Sequence, residues 1–450
     1  MTVGVSTVPT GVERLVGPDE LFYSTTDRRG LIRTGNSVFL RVSQYSLDEL
    51  VGSPHNVVRH PEMPAGAYRL MWDRLRAGRA TGGYLRNLAR DGSQYWVFAT
   101  LLPLGEGFLS VRMAPRSPLF EPVKQLYAQV TAAEQEAARN GVSRREAAGI
   151  GAERIEELLA LVGFSSYDDF LFEALPAEVA ARGRLVAVAY SRPEAQGPIS
   201  GLLAAAGDLE GLLGGLSGQL DGYQMLCDRL VQSSSSVLDV ALRLDPAVTA
   251  AQYASRTVTD TVPVLLNVAN VMALPMHTAV TALERMAPRL GRLRTDVADL
   301  RFQVALASLH NDMIAAFAAE LVDGGLPASS LHQVPLLCDA VQEGVIEMSR
   351  TAQVVNQQLR EVSALVTEAL LRLDEFRKFL GQWRILVLRH RAGGVLGDLL
   401  RPIDDELAAS QDGMELLRSL GAQVAALAVQ VDDAALDAQV ARTRTATSAV

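Results

Sequence analysis

Cysteine is almost absent from this 450-residue chain. Cys227 and Cys338 are the only two, too few for a disulfide scaffold or a four-thiolate zinc site, and their scarcity points to a reducing, cytoplasmic compartment. An excess of positive charge is missing too: 42 basic and 51 acidic residues leave a net charge of −9, which gives no general electrostatic reason to bind nucleic acid or anionic lipid. Clean apolar runs of the roughly 18 to 20 residues that a spanning helix needs are lacking. The candidates at 262–276 and 185–190 are short or broken by Asn267, Asn270 and prolines, so no membrane span is expected. The N-terminus has no basic segment leading into an apolar one and does not read as a signal peptide. Catalytic signatures are equally scarce. The six histidines show no metal-ligand spacing, there is no nucleophile elbow, and Gly393, Gly394 and Gly397 lack the Lys-Ser/Thr context of a phosphate loop and read as a turn. An enzyme is not expected.

At 48% hydrophobic and 21% charged residues, a chain of this length should fold as two or more units. Aromatic residues, only 6% overall, crowd into 20–115, where turn residues suit short strands. From about Glu121 onward Ala, Leu, Glu, Gln and Arg dominate, and apolar residues recur at three- and four-residue spacing, the pattern of long helices. Breaks fall at 183–198, 323–335 and 392–402, where Pro and Gly cluster. The serine run Ser233 to Ser236 reads as a solvated kink or helix interruption, and Pro275 reads as a kink.

The aromatic-rich region can be followed strand by strand. Leu21 to Thr26 alternates apolar and polar, Asp27 to Gly30 makes a turn, and Leu31 to Arg33 begins the return. Ser46 and Glu49 form a capping-box pair, and Pro64 opens a longer helix carrying Met71, Trp72 and Leu75 on one face. Three antiparallel strands follow, Tyr84 to Leu88, Tyr95 to Leu102 and Phe108 to Met113, the first two joined at Arg90-Asp91-Gly92.

These residues, and above all the run PHNVVRHPEMP at 54–64, resemble the PAS domain of the bacterial aerotaxis receptor. The resemblance covers about Phe22 to Pro115. It implies an α+β PAS domain, a five-stranded antiparallel sheet with short helices, that holds FAD noncovalently and reports redox or oxygen state. It also implies that Arg59, His60, Glu62 and Trp72, with Asn87 on the adjoining strand, contact the flavin. Two positions depart from the family: Glu62 stands for an aspartate, and Thr81 for a tryptophan. The residue types suit a flavin independently, since its ring needs an apolar slot, its pyrimidine edge donors, and its phosphates cations. Haem would require His55 or His60 as axial ligand; neither lies on a long helix facing the pocket, and haem is not expected.

Further on, RLGRLRTDVADLRFQVALASLHNDMIAAFAAE, from Arg289 to Glu320, resembles the signalling tip of chemotaxis receptors. Arg289, Gly291, Asp299, Phe302, Gln303 and Leu309 fall in register without a gap, while Ala305, His310, Ile314 and Phe317 replace the polar residues that hold a kinase and its adaptor. The expected layout is a PAS sensor over 18–116, connecting helices over 117–182, and a linker over 183–200. An all-α hairpin or bundle would follow over 201–391, with its tip near 289–335, then C-terminal helices over 392–450. The expected function is a cytoplasmic, homodimeric signal-transduction protein that senses redox or oxygen state through FAD and passes it to a protein partner through the helical hairpin, a chemotaxis adaptor or kinase among the candidates. The alternatives are a ligand-free PAS scaffold and a flavoenzyme.

Overall fold

The computed structural model describes residues 7–186, 188–325, 328–392, 394 and 411–450. Five strands and a set of short helices come first: β1 (Leu21–Asp27), β2 (Ile32–Gly35), α1 (Ser37–Ser43), α2 (Leu47–Leu50), a 3-10 turn (His55–Val58), α3 (Ala65–Arg76), β3 (Thr81–Leu88), β4 (Gln94–Leu104) and β5 (Gly107–Met113). The remainder is helical: α4 (Phe120–Arg139), α5 (Arg144–Leu161), α6 (Tyr167–Val186), α7 (Pro198–Thr257), α8 (Pro263–Val322), a 3-10 segment (Ala328–Gln333), α9 (Val334–Arg389), α10 (411–425) and α11 (Asp433–Ala449). The expected break at 392–402, with Gly393 and Gly397, lies almost wholly outside the described residues.

Five antiparallel strands were expected and five are found; their order in the sheet, which the sequence reading did not give, is β2-β1-β5-β4-β3. Local chemistry sets the first hairpin. The Asp27 carboxylate accepts from the backbone N–H groups of Arg29 (2.8 Å) and Leu31 (2.9 Å), and Gly30 supplies a φ of +78°, a conformation in which side chains are strained. Asn36 then ties α1 to β1. Its side chain accepts from Phe39 N as the helix cap and from Tyr23 N, and donates to Leu21 O. Ser46 and Glu49 form the expected capping box.

Period-two alternation gives the sheet two chemically distinct faces. On one, beneath α1 to α3, lie Phe22, Ser24, Leu85, Asn87, Tyr95, Leu101 and Arg112, with Phe22 stacked on Tyr95 at 5.8 Å. The other carries Tyr23, Tyr84, Trp96 and Phe98, and it is covered by helix. Phe120 of α4 stacks on Tyr84 (5.6 Å) and meets Trp96 edge-on (5.4 Å), and Phe170 of α6 lies 6.3 Å from Tyr84. Glu178 of α6, wholly buried, accepts from the Tyr84 hydroxyl (2.7 Å), the Ser117 hydroxyl (2.8 Å) and the backbone N–H groups of Arg116 and Ser117. Four donors around one carboxylate fix the exit of β5 to α6.

Two compact units result, one of Met1–Ser217, Ala298–Ser349 and Asp432–Val450, the other of Gly218–Val297 and Arg350–Val431. In the first, the end of α8 packs with α6 and the sheet: Phe302 meets Phe172 (5.5 Å), Arg182 pairs with Asp312, and Phe317 meets Tyr23 edge-on at 5.4 Å. Ala305, His310, Ile314 and Phe317, the four tip positions that depart from the chemotaxis pattern, are all buried. In the second unit α8 and α9 run antiparallel, with Arg289 paired to Glu361 and Gln358 donating to Asp296, and Trp383 is sealed in with its Nε1–H on Ser255 Oγ (3.2 Å).

The structure corrects one expectation. The serine run does not interrupt a helix: α7 is continuous from Pro198 to Thr257, Ser233 and Ser234 are buried within it, and Ser234 Oγ donates back to Val231 O, which satisfies the hydroxyl without breaking the ladder. Helices α7 and α8 each contain an 18-residue stretch of mean hydropathy 1.3, long and apolar enough to cross a membrane, one third of it buried. Alanine-rich helices reach that value despite scattered polar residues, which a search for unbroken apolar runs does not register.

Candidate functional site

A cavity of about 220 Å3 opens between α3, the His55–Val58 turn and the inner face of the sheet. Its walls are apolar. Met71, Trp72 and Leu75 come from α3, at the three- and four-residue spacing that puts them on one face, and Leu85 and Leu101 face them from β3 and β4. The Trp72 ring is held edge-on against Phe108 at 5.4 Å.

The polar lining is sparse and specific. Asn87 presents its amide from β3, Tyr68 stands on α3, and Arg29, exposed on the β1–β2 turn, lies at the solvent side. Deepest in chemical terms is Arg112 of β5, which is 3% exposed. One terminal nitrogen, Nη2, contacts Ser24 Oγ (3.2 Å) and His55 Nε2 (2.7 Å), the guanidinium carbon lies 5.6 Å from the Phe39 ring centroid, and Nε has no hydrogen-bond partner. Burial lowers the Arg112 pKa to about 10, still far above neutrality, so the group stays cationic. Burial first, and the Arg112 charge second, hold His55 well below the usual histidine range; neutral, it accepts a hydrogen bond from Arg112 Nη2 and stacks on Phe39 at 5.7 Å. Burial pushes the Tyr68 hydroxyl up to about 12.

Of the five residues expected to contact a ligand, the structure brings two to this cavity, Trp72 and Asn87. Arg59 sits one layer behind: its guanidinium lies 4.5 Å over the Tyr68 ring, Nη2 donates to Met63 O, and its backbone bridges to Asn87. His60 is 1% exposed, fastened to β3 by its N–H on Arg86 O, with Nδ1 accepting from Glu62 N. Glu62 points away; it pairs with Arg86 (2.6 Å) beside a second cavity of about 270 Å3 against α4. The run of 54–64 is thus a strap that closes the cavity, with Pro54, His55 and Asn56 at its edge and the residues after Arg59 serving to fasten it.

Sequence reasoning missed Arg112, Tyr68 and Arg29, and weighed His55 only as a haem ligand. A signal for Arg112 existed. It stands between Val111 and Met113, both wholly buried, in a strand that the chain covers on both faces; an arginine there is not a solvated residue.

The comparisons with known proteins bear on this domain. A family model described as the PAS fold matches residues 33–107. The aerotaxis receptor of Escherichia coli K12 is 37% identical over 119 residues, 25% of this chain and 24% of that protein. Biofilm dispersion protein BdlA of Pseudomonas aeruginosa PAO1 is 33% identical over 87 residues, 18% of this chain and 20% of that protein. Among solved structures, the PAS domain of a Colwellia psychrerythraea protein is similar at 23% identity, covering 21% of this chain and 85% of that one, with a TM-score of 0.19. The N-terminal domain is a PAS domain, of the kind found in aerotaxis-type receptors. This chain matches no more than about a quarter of the length of those two curated relatives.

Proposed function

We propose that the protein is a signal-transduction sensor rather than an enzyme, in which the PAS cavity holds FAD and reports redox or oxygen state through the helices packed on the opposite face of the sheet. The observation that carries this reading is the cavity itself: apolar on its walls, with the Asn87 amide and one buried guanidinium that no carboxylate among the described residues neutralises. That donor set fits a flavin ring, and exposed Arg29 suits the diphosphate. At about 220 Å3 the cavity is smaller than sites that engulf whole drug-sized ligands, roughly 300 to 1,000 Å3, so the ring would be enclosed and the adenylate left outside. Bound flavin would supply a reversible electron acceptor; the chain does the rest.

Relay is supported by the alternation of the strands. Ser24, buried on the cavity side of the sheet, touches the cavity residue Arg112 and is followed in reverse order along β1 by Tyr23, whose hydroxyl and ring meet Gln333 and Phe317. A change in how Arg112 is held therefore has a path of one residue to the end of α8 and the start of α9. A coupling of about 1 to 3 kcal/mol, usual for such devices, moves a balanced two-state element roughly tenfold. Output would pass from the helices to a protein partner, a chemotaxis adaptor or kinase among them, but not by the route a receptor tip offers, since Ile314 and Phe317 are buried here. Val264, Val271 and Leu274 on α8 are exposed at helical spacing, a stripe suited to a second copy of the chain. With both cysteines free and buried, the proposed site of action of the PAS domain is the cytoplasm.

The test is an absorption spectrum of the purified full chain, before and after reconstitution with FAD, followed by denaturation and chromatography of what is released. Two flavin bands and free FAD in the supernatant support the reading. A folded protein that stays colourless after reconstitution overturns it in favour of a ligand-free scaffold, and a Soret band overturns it in favour of haem.

A further inference from the structure

We propose that Arg112 is the charge-selecting residue of the PAS cavity: held by His55 and Ser24, it favours a flavin in its reduced, negatively charged form over the neutral oxidised one. The inference rests on the flavin reading above and adds to it the group that sets which redox state is bound more tightly.

The geometry is that of an incomplete site. A guanidinium is a five-donor group, and burying it is costly unless it is paired and hydrogen-bonded. Here Arg112 has only Ser24 Oγ and His55 Nε2, both neutral, and the face of Phe39. Nε is buried without a partner, and among the described residues no carboxylate pairs with the group. Nearby Tyr68 and Tyr95 are held protonated by burial and contribute no charge at neutral pH. Other buried arginines in the same unit differ: Arg74 pairs with Asp168 and Arg182 with Asp312. Arg112, unlike these two, has no carboxylate partner among the described residues and lines the cavity, from which the missing anion would be supplied.

A flavin is the ligand whose chemistry completes this arrangement. A bound flavin would supply two-electron chemistry, its electrons coming from a dithionite-class reductant in vitro or a reduced electron carrier in the cell and one proton from solvent, and would then carry one negative charge. Arg112, a fixed cation in the cavity wall, would favour that form over the neutral oxidised one. His55 positions the guanidinium and, being neutral, does not compete for the role. The consequence is a flavin that is easier to reduce in this cavity than with the charge removed, and one that then pulls on Arg112 and so on Ser24.

The experiment uses the full chain reconstituted with FAD. The dissociation constant for oxidised FAD is measured by fluorescence, and the midpoint potential by anaerobic dithionite titration against an indicator dye; together they give the ratio of reduced to oxidised affinity. Arg112→Gln, whatever share of its affinity for oxidised FAD it loses, is expected to lower that ratio roughly 10- to 100-fold, the scale of a hydrogen bond to a charged group. Arg112→Lys, which keeps the charge, should stay near the wild type. A Gln variant that binds oxidised FAD with an unchanged ratio overturns the role of Arg112 and leaves the flavin reading standing. Failure of folded wild-type protein to bind FAD in either state overturns both. If Arg112→Gln unfolds, the Lys variant decides: a wild-type ratio is the expected result, and a tenfold fall sinks the idea that charge sets it.

Discussion

Tyr23 and Gln333 are 310 positions apart in sequence and meet in the folded chain, the tyrosine hydroxyl donating to Gln333 Oε1 at 2.8 Å in a buried setting. The residue beside Tyr23, Ser24, lies on the opposite side of the sheet and touches Arg112, which lines the cavity. One strand thus carries both ends of a connection: a cavity contact on one face and a helix contact on the other, separated by a single peptide. Ser37 at the start of α1 adds a second tie, donating to Glu320 near the end of α8 (2.6 Å). The helices that cover the sheet are held by directed polar bonds as well as by Phe317.

Replacing Tyr23 by Phe tests that connection with little change in packing. The ring against Phe317 remains, the hydroxyl is lost, and Gln333 Oε1 keeps no donor from β1. The expected cost is about 1 to 3 kcal/mol in chemical denaturation, the range for leaving a buried acceptor unsatisfied. Hydrogen exchange should quicken at the end of α8 and the start of α9 while the inner strands keep their protection. Equal acceleration throughout would mean that the bond serves general stability and not this contact.

Trp72 and His60 separate ligand contact from scaffold. Both belong to the aerotaxis-type motif, yet Trp72 lines the cavity and His60 fastens the strap with no side-chain access to it. Trp72→Ala should weaken FAD binding by about 2 kcal/mol or more through lost apolar contact, with folding stability little changed because the ring is only partly buried. His60→Ala should do the reverse, lowering the unfolding midpoint while the protein that remains folded binds FAD as before. Titration of both variants with FAD, beside their denaturation curves, checks the assignment; a His60→Ala protein that is stable but blind to FAD would return His60 to the binding set.

Sequence alone revealed the strands, the capping box, the turn glycines and the breaks at 183–198 and 323–335, because each is written in residues close together; the breaks after Arg139, Leu161 and Thr257 were not read. Trp72 and Asn87, which line the cavity, came from the resemblance to the aerotaxis-type PAS domain and not from local pattern. What else escaped notice was long-range. Arg112 becomes a site residue only because β5 pairs with β1 and so sets its side chain beside Ser24 and the His55 turn. Glu62 carries the right charge in the right motif but lies on the outer side of a strap whose turn no periodicity predicts. The burial of Ile314 and Phe317 likewise depends on which surface α8 meets, and amphipathic spacing does not name the partner of a helix.

The packing of α3 on α5 depends on Gly66. A Cβ at that position would lie 2.3 Å from the carbonyl carbon of Gly151 and 2.4 Å from Ala152 N, backbone atoms that cannot swing aside. The first backbone N–H groups of α3 meanwhile donate to Glu134 of α4, from Ala65 at 2.8 Å and from Gly66 at 2.7 Å, which serves where Pro64 offers no capping side chain. Gly66→Ala should therefore force α3 off α5 and cost about 2 kcal/mol or more. Gly183→Ala, inside α6 with open space around it, is the control and should be neutral or stabilising by roughly 0.5 to 1 kcal/mol. Thermal unfolding of the pair reads both; a Gly66→Ala protein as stable as the control would show that the α3–α5 contact yields easily.

Acid should destabilise the first unit through His310. This side chain on α8 is 1% exposed, its Nδ1 has no hydrogen-bond partner, and burial lowers its pKa to about 4. Unfolded, the imidazole titrates near the usual histidine value of about 6.5. Below that pH the unfolded chain binds a proton that the folded chain refuses, so stability is full above the unfolded pKa and drains away as pH falls towards the folded one. Between roughly pH 7.5 and about pH 5 the linkage amounts to about 2 kcal/mol. His55 and His60, also lowered by burial, act in the same direction, so the wild type alone would not isolate the effect. His310→Leu does: its stability should fall by about 2 kcal/mol less than the wild type over the same interval. Denaturant midpoints at the two pH values, compared between the two proteins, measure that difference directly, and parallel losses would show that His310 gains its proton without leaving the fold.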